Sequence, residues 1–169
     1  AMPRVSTHLH IALKLSNAIC IKDLSSFLLG NAYPDCWKTS IENSLCYHYK
    51  DDLSSLCNLE RFKETEEMND FSFGHYFHLW VDNRILGVDV NDISKNDCLI
   101  CDMAVITPII QQLKQLKVTG KKYQSMQNIL ELESEPMPLY LIPEDKKKRY
   151  DAILDMLVDE FTKEHFNRV

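Results

Sequence analysis

Residues able to hold a metal ion or carry a proton recur along the first half of the chain: His8, Asp35, His48, His75, His78 and Asp82. The sharpest group lies in "DFSFGHYFHLWVDNRIL" (70–86). There His78 and Asp82 are four apart, hence stacked on one helix face, and His75 falls within about 60° of both. Phe71, Val81, Ile85 and Leu86 share that sector, so two imidazoles and a carboxylate interrupt an apolar stripe. An unpaired carboxylate withdrawn from water costs on the order of several kcal/mol. Arg84 points elsewhere on the same wheel, so the partner of Asp82 is a group from another element or a metal ion. Imidazole nitrogen and carboxylate oxygen one helical turn apart can converge on a divalent ion without bending the backbone, although the same spacing serves an ordinary His–Asp hydrogen bond.

Three other residues add candidates. On a helical wheel His8 shares a face with Ile11, Ala12, Leu15, Ala18 and Ile19, whereas His10, Lys14 and Asn17 gather on the far side; His8 is expected inside and His10 at the surface. A histidine on an apolar face fits a hydrogen-bonded core residue as well as a ligand. Asp35 follows the apolar run "FLLGNAYP", and His48 lies in "CYHYKDD". Each is ambiguous alone, and their joint presence favours a metal site.

The elements that must position them read as helices. Only four glycines occur, alternating patterns are scarce, and apolar residues recur at spacings of three and four. The expectation is an all-α, single-domain bundle of six to seven helices spanning 1–169. Ser6 or Thr7 can cap a first helix running to about Ile21; Asp23 can cap a second, which Pro34 stops. Residues 39–52 read mostly as loop, and 53–68, 69–86, 94–117 and 121–133 as helical. A proline-punctuated link then leads to an amphipathic helix over 150–166.

Composition bounds the function. A net charge of −6 argues against a nucleic-acid groove as the dominant surface, and no stable nucleic-acid partner is expected. The basic run "DKKKR" (145–149) reads as the solvated start of a helix. No apolar stretch reaches the ~20 residues of a membrane span. The N-terminal residues lack the order of a secretory signal, and six cysteines scattered through helical sequence suit a reducing compartment, so a cytoplasmic location is expected. Cys98 and Cys101 form a single Cys-x2-Cys, which reads as buried small hydrophobes rather than as a zinc or redox site. Tyr76, Phe77 and Trp80 fall on the far side of the His78 helix, as core.

The order "STHLHIALKL", "FLLGNAYPD", a histidine 13 residues after that aspartate, then "FGHYFHLWVD" resembles the bacterial zinc-dependent phospholipase C family, whose all-α fold is shared with zinc-dependent single-strand nucleases. The resemblance covers residues 3–86. It implies that Asp35, His48, His78 and Asp82 surround a central ion, that Asp82 bridges to a second ion held by His8, and that Asp35 is the general base. His75 is left as a residue orienting Asp82 or as a weaker ligand. The chain departs from the pattern in two ways. Six residues precede Thr7, where secreted members use an N-terminal tryptophan as ligand, and "NRILGVDVNDISKND" lacks the histidine of a further site. Asp89, Asp92, Asp155 or Asp159 could substitute, though an exposed acidic face describes them better. One or two zinc ions are expected, with manganese or iron as other occupants.

The expected function is a metal-dependent hydrolase of a phosphate ester, a phosphodiester above all, acting through metal-activated water on a small phosphate ester or a phospholipid. The alternative is a catalytically degenerate metal-binding helical domain with a structural or protein-interaction role.

Overall fold

A computed structural model describes residues 3–90 and 92–166. Among them the chain forms eight α-helices and no strand: α1 Val5–Ala18, α2 Leu24–Ala32, α3 Ile41–Tyr47, α4 Leu59–Thr65, α5 Asp70–Ile85, α6 Lys95–Leu113, α7 Gly120–Leu130 and α8 Glu144–Phe166. Short 3-10 turns follow α2 (Tyr33–Cys36) and α7 (Glu131–Ser134). The all-α expectation holds, with more helices than the six or seven anticipated. No described helix is long and apolar enough to cross a membrane.

Side-chain caps fix several starts. Asp23 accepts from the Ser26 amide ahead of α2, and the pairs Asn69/Ser72 and Ser94/Asp97 form capping boxes at α5 and α6. Helix α1 is different: it begins after Arg4, which makes no side-chain cap, and it ends at Ala18 rather than Ile21. Ser6 and Thr7 lie inside it and are buried, so neither caps it.

The segment expected as loop contains α3, because Ser40 caps it by accepting from the Asn43 amide. The segment expected as helix over 53–68 is helical only in α4. Asp52, Ser54 and Ser55 bond the local backbone instead: the amides of Asp51 and Asp52 donate to Ser55 Oγ, and the Ser54 amide donates to Asp52. Such short side chains compete with the helical ladder. Helix α8 starts six residues before Tyr150, so the basic run occupies its first turns.

Helices α2 and α5 make the most extensive helix pair in the fold. Their backbones meet at two glycines. A methyl group on Gly30 would overlap the carbonyl of Phe71, and one on Gly74 would overlap the carbonyl of Phe27. The other face of α5 carries Tyr76, Phe77 and Trp80 into the core, where Phe77 and Trp80 meet Phe161 of α8 with ring centroids 4.6 and 5.1 Å apart. Helix α1 packs against α2, α5, α6 and α8, so it has no solvated face along its first turns.

Candidate metal centre

Four elements deliver the candidate side chains. Helix α1 presents His8, the 3-10 turn after α2 presents Asp35, the residue ending α3 is His48, and α5 presents His78 and Asp82. Pro34 lies inside that 3-10 turn and ends the regular helix, so Asp35 leaves α2 one turn beyond the Gly30–Phe71 contact. His8 and His78 are fully buried, Asp82 is 2% exposed, and Asp35, at 24%, is the most open of the group.

The orientation of two rings is set by backbone. His78 Nδ1 donates to the Asn31 carbonyl at 2.7 Å, and His48 Nδ1 donates to the Ser44 carbonyl at 2.7 Å. Both acceptors belong to the last turn of a helix, and the Ser44 carbonyl also takes the His48 amide at 3.0 Å. With Nδ1 protonated, a neutral ring keeps its lone pair on Nε2. Those lone pairs face carboxylates: His48 Nε2 lies 3.1 Å from Asp35 Oδ1 and 3.7 Å from Asp82 Oδ2, and His78 Nε2 lies 3.5 Å from Asp35 Oδ1 and 3.3 Å from Asp82 Oδ2. Lone pair against carboxylate is repulsive unless a proton or a cation lies between them. His78 Nε2, Asp82 Oδ2 and His8 Nδ1 are buried polar atoms without a hydrogen-bond partner.

A tetrahedral ion with nitrogen and oxygen ligands at about 2.0–2.1 Å sets its ligand atoms about 3.3 Å apart. The four separations above bracket that edge. The buried His and Asp residues thus could hold a metal ion, in two overlapping groups: Asp35, His48 and His78, and His8, His78 and Asp82. His78 is common to both groups, and Asp82 reaches toward each side, its Oδ1 lying 2.9 Å from His8 Nε2 while its Oδ2 faces His78 and His48.

Charge distribution follows the same geometry. Burial alone would raise Asp82, but the His78 and His8 rings hold it below the usual carboxylate range. Asp35 is likewise held well down, against burial, by the neighbouring His78 and His48 rings. Burial opposes a charge on His78, yet Asp35 and Asp82 push it up to about 10. His8 goes the other way, because burial and the neighbouring His78 outweigh its contact with Asp82.

His75 belongs to neither group. Its Nε2 donates to the Tyr47 carbonyl at 2.7 Å, and its ring is packed by Phe62, Tyr33 and Tyr49. It therefore anchors the last residue of α3, next to His48. Asp155 pairs with Lys14 and Asp159 with Lys163, so these two acids form exposed surface pairs, and neither is in a metal-capable group. Cys98 and Cys101 are partly exposed free thiols rather than fully buried ones.

A cleft of about 530 Å3 opens beside Asp35, walled by Arg4, Trp37, Lys38, Ser44 and Leu53. Trp37 stacks on Tyr47 at 3.7 Å, and Tyr33 meets both rings edge-on. Arg4 and Lys38 are tethered by Glu135 and Glu131, each at 3.0 Å.

No protein-family model, curated protein or solved structure matches this chain. Function must therefore be read from the site.

The structure brings His8, Asp35, His48, His78 and Asp82 together and sets His75 apart. Sequence reasoning missed the carbonyls of Asn31, Ser44 and Tyr47, which orient the rings. A backbone acceptor leaves no residue signature. It also placed His10 at the surface, whereas His10 is 4% exposed and its Nδ1 lies 2.8 Å from Asp102 Oδ1. Asp102, fully buried, sits in "CLICDMAVI", an apolar run whose single acid was the available signal.

Proposed function

We propose that this chain is a metal-dependent hydrolase of a phosphate ester, best suited to a phosphodiester. One observation carries the reading: two imidazoles whose Nδ1 protons are committed to helix-end carbonyls turn their Nε2 atoms toward Asp35 and Asp82 at the spacing of a tetrahedral shell, with Asp35 open to a cleft. Asp35, His48, His78 and Asp82 would hold the central ion, with zinc the best match to two nitrogens and two oxygens. His8, with Asp82 Oδ1, would hold a second.

A divalent ion so bound supplies Lewis-acid polarisation of a phosphoryl oxygen and a water acidified toward neutrality. The residues of the chain do the rest. Asp35 is partly open to the cleft where Asp82 is buried, which places it to take the proton of the attacking water. His48 and His78 hold their rings fixed through backbone bonds, so little reorganisation accompanies the charge change. The Trp37 ring in the cleft wall, backed by Tyr47, and the cations of Arg4 and Lys38 suit an ester with an apolar or planar group beside its phosphate, whether a small soluble ester or a phospholipid.

The test is metal content after purification without added metal, followed by hydrolysis assays on phosphomonoesters, phosphodiesters and phospholipids with zinc, manganese and iron. Stoichiometric metal with chelator-sensitive hydrolysis is expected. Stoichiometric metal without hydrolysis of any ester would shift the reading to a domain that keeps its metal for structure or interaction. Absence of metal would remove both.

A further inference from the structure

Beside the candidate metal centre lies a second buried polar cluster that the proposed chemistry does not use. Asp102 of α6 is completely buried and accepts three hydrogen bonds. Thr7 Oγ1 donates to its Oδ2 at 2.6 Å, while His10 Nδ1 and Tyr150 Oη reach its Oδ1 at 2.8 and 2.7 Å. Thr7 and His10 are three apart on α1, turned about 100° and 160° away from His8 on the side facing α6. One carboxylate thus grips α1 at two points, and Tyr150 ties the same carboxylate to α8.

We infer that Asp102 is the positioning residue for the His8 half of the site. Two bonds to one helix face fix both its rotation and its axial position. Arg4 makes no side-chain cap at the start of α1, and the helix's ion pairs, Arg4 with Glu135 and Lys14 with Asp151 and Asp155, involve partly exposed side chains, whereas the Asp102 contacts are buried. Toward α5, His8 must keep its ring 3.5 Å from His78 and its Nε2 2.9 Å from Asp82. A side-chain atom about 5–6 Å from a helix axis moves about 1 Å for every 10° of rotation. Ligand sets tolerate about 0.5 Å. Loosening Asp102 would therefore displace His8 while leaving His48, His78 and Asp35, which hang on α3, α5 and the turn after α2. The assignment of a ligand role to His8 rests on the functional reading above; the clamp on α1 does not.

Two measurements test it on the full chain, comparing Asp102→Ala, Thr7→Val and Thr7→Ser with the parent. The first is the imidazole 1H–15N spectrum without metal. The His8 resonances, shifted by the stack on His78, are expected to move in Asp102→Ala and Thr7→Val, to stay in Thr7→Ser, and to leave those of His48 and His75 in place. The second is zinc titration, where the binding step that depends on His8 should weaken about 10–100-fold in the first two variants with the other step unchanged. An unmoved His8 resonance, or one that shifts in step with every other histidine, overturns the inference. If Asp102→Ala fails to fold, Thr7→Val, which exchanges one hydroxyl for a methyl group, decides alone. If zinc does not bind at all, the functional reading fails, and the His8 resonance still decides the clamp.

Discussion

The imidazole rings of His8 and His78 lie parallel, 11° from coplanar orientation, with centroids 3.5 Å apart. Two rings so close and so dry cannot both carry charge. The structure divides the roles: Asp35 and Asp82 hold a proton on His78 up to about pH 10, and burial together with that neighbour keeps His8 neutral. The metal-free centre is therefore one imidazolium between two carboxylates, with a neutral ring stacked on it.

A metal ion held as proposed would have to displace that proton, because the ion and the proton need the same Nε2 lone pair. At pH 7 binding should release about one proton from His78. Affinity should then rise roughly tenfold per pH unit as the pH approaches 10. Calorimetry in buffers of different ionisation enthalpy measures the release directly. Binding without proton release would mean that His78 is not a ligand.

Asp35→Asn retains the side-chain shape but not a base. If the proposed hydrolysis occurs and Asp35 takes the proton of the attacking water, kcat on any ester turned over should fall about 100-fold or more. Metal content of the variant, measured alongside, separates loss of the base from loss of the ion. An unchanged kcat would reassign the proton acceptor.

The glycine contact predicts a stability effect far from any charge. Gly30→Ala or Gly74→Ala would drive a methyl group into the opposing helix backbone, which cannot give way as a flexible side chain does. Each should destabilise the fold by about 3 kcal/mol, at the upper end of overpacking costs, read from urea unfolding. Metal affinity should weaken with it, since the same contact spaces Asp35 from His78. A neutral effect on both would show that α2 and α5 separate freely.

His75 gives a pH signature independent of metal. Burial pushes its pKa down to about 3, only partly offset by the bond to Tyr47. The unfolded chain takes up the proton below about pH 6.5 and the folded chain does not, so the His75 contribution is complete above pH 6.5 and declines as the pH falls toward 3. The slope is about 1.4 kcal/mol per pH unit. His75→Gln, which keeps a donor for the carbonyl, should remove one proton's worth of slope from stability measured between pH 6.5 and 4. Identical slopes in the two proteins would refute the assignment.

Much of this was legible in the residues, and the misses share a cause. Periodicity located α1, α2, α5, α6, α7 and α8 because each buries an apolar stripe. The spacing of His78 and Asp82 placed them on one face because a helix admits no other arrangement. The wheel also placed His10 opposite His8, correctly, but a wheel gives relative direction and not what lies beyond it. Helix α1 is surrounded, so the far face meets Asp102 instead of water. Helix α3 was missed because a serine cap and contact with the 3-10 turn after α2, rather than a buried apolar stripe, stabilise it.

The bonds from His78 to Asn31 and from His48 to Ser44 end on peptide carbonyls at the tips of α2 and α3. No single side-chain replacement at those two acceptor positions deletes the acceptor. Anyone grafting this centre onto another scaffold would have to carry over two helix endings, cut at the right turn, and not merely a set of ligand side chains.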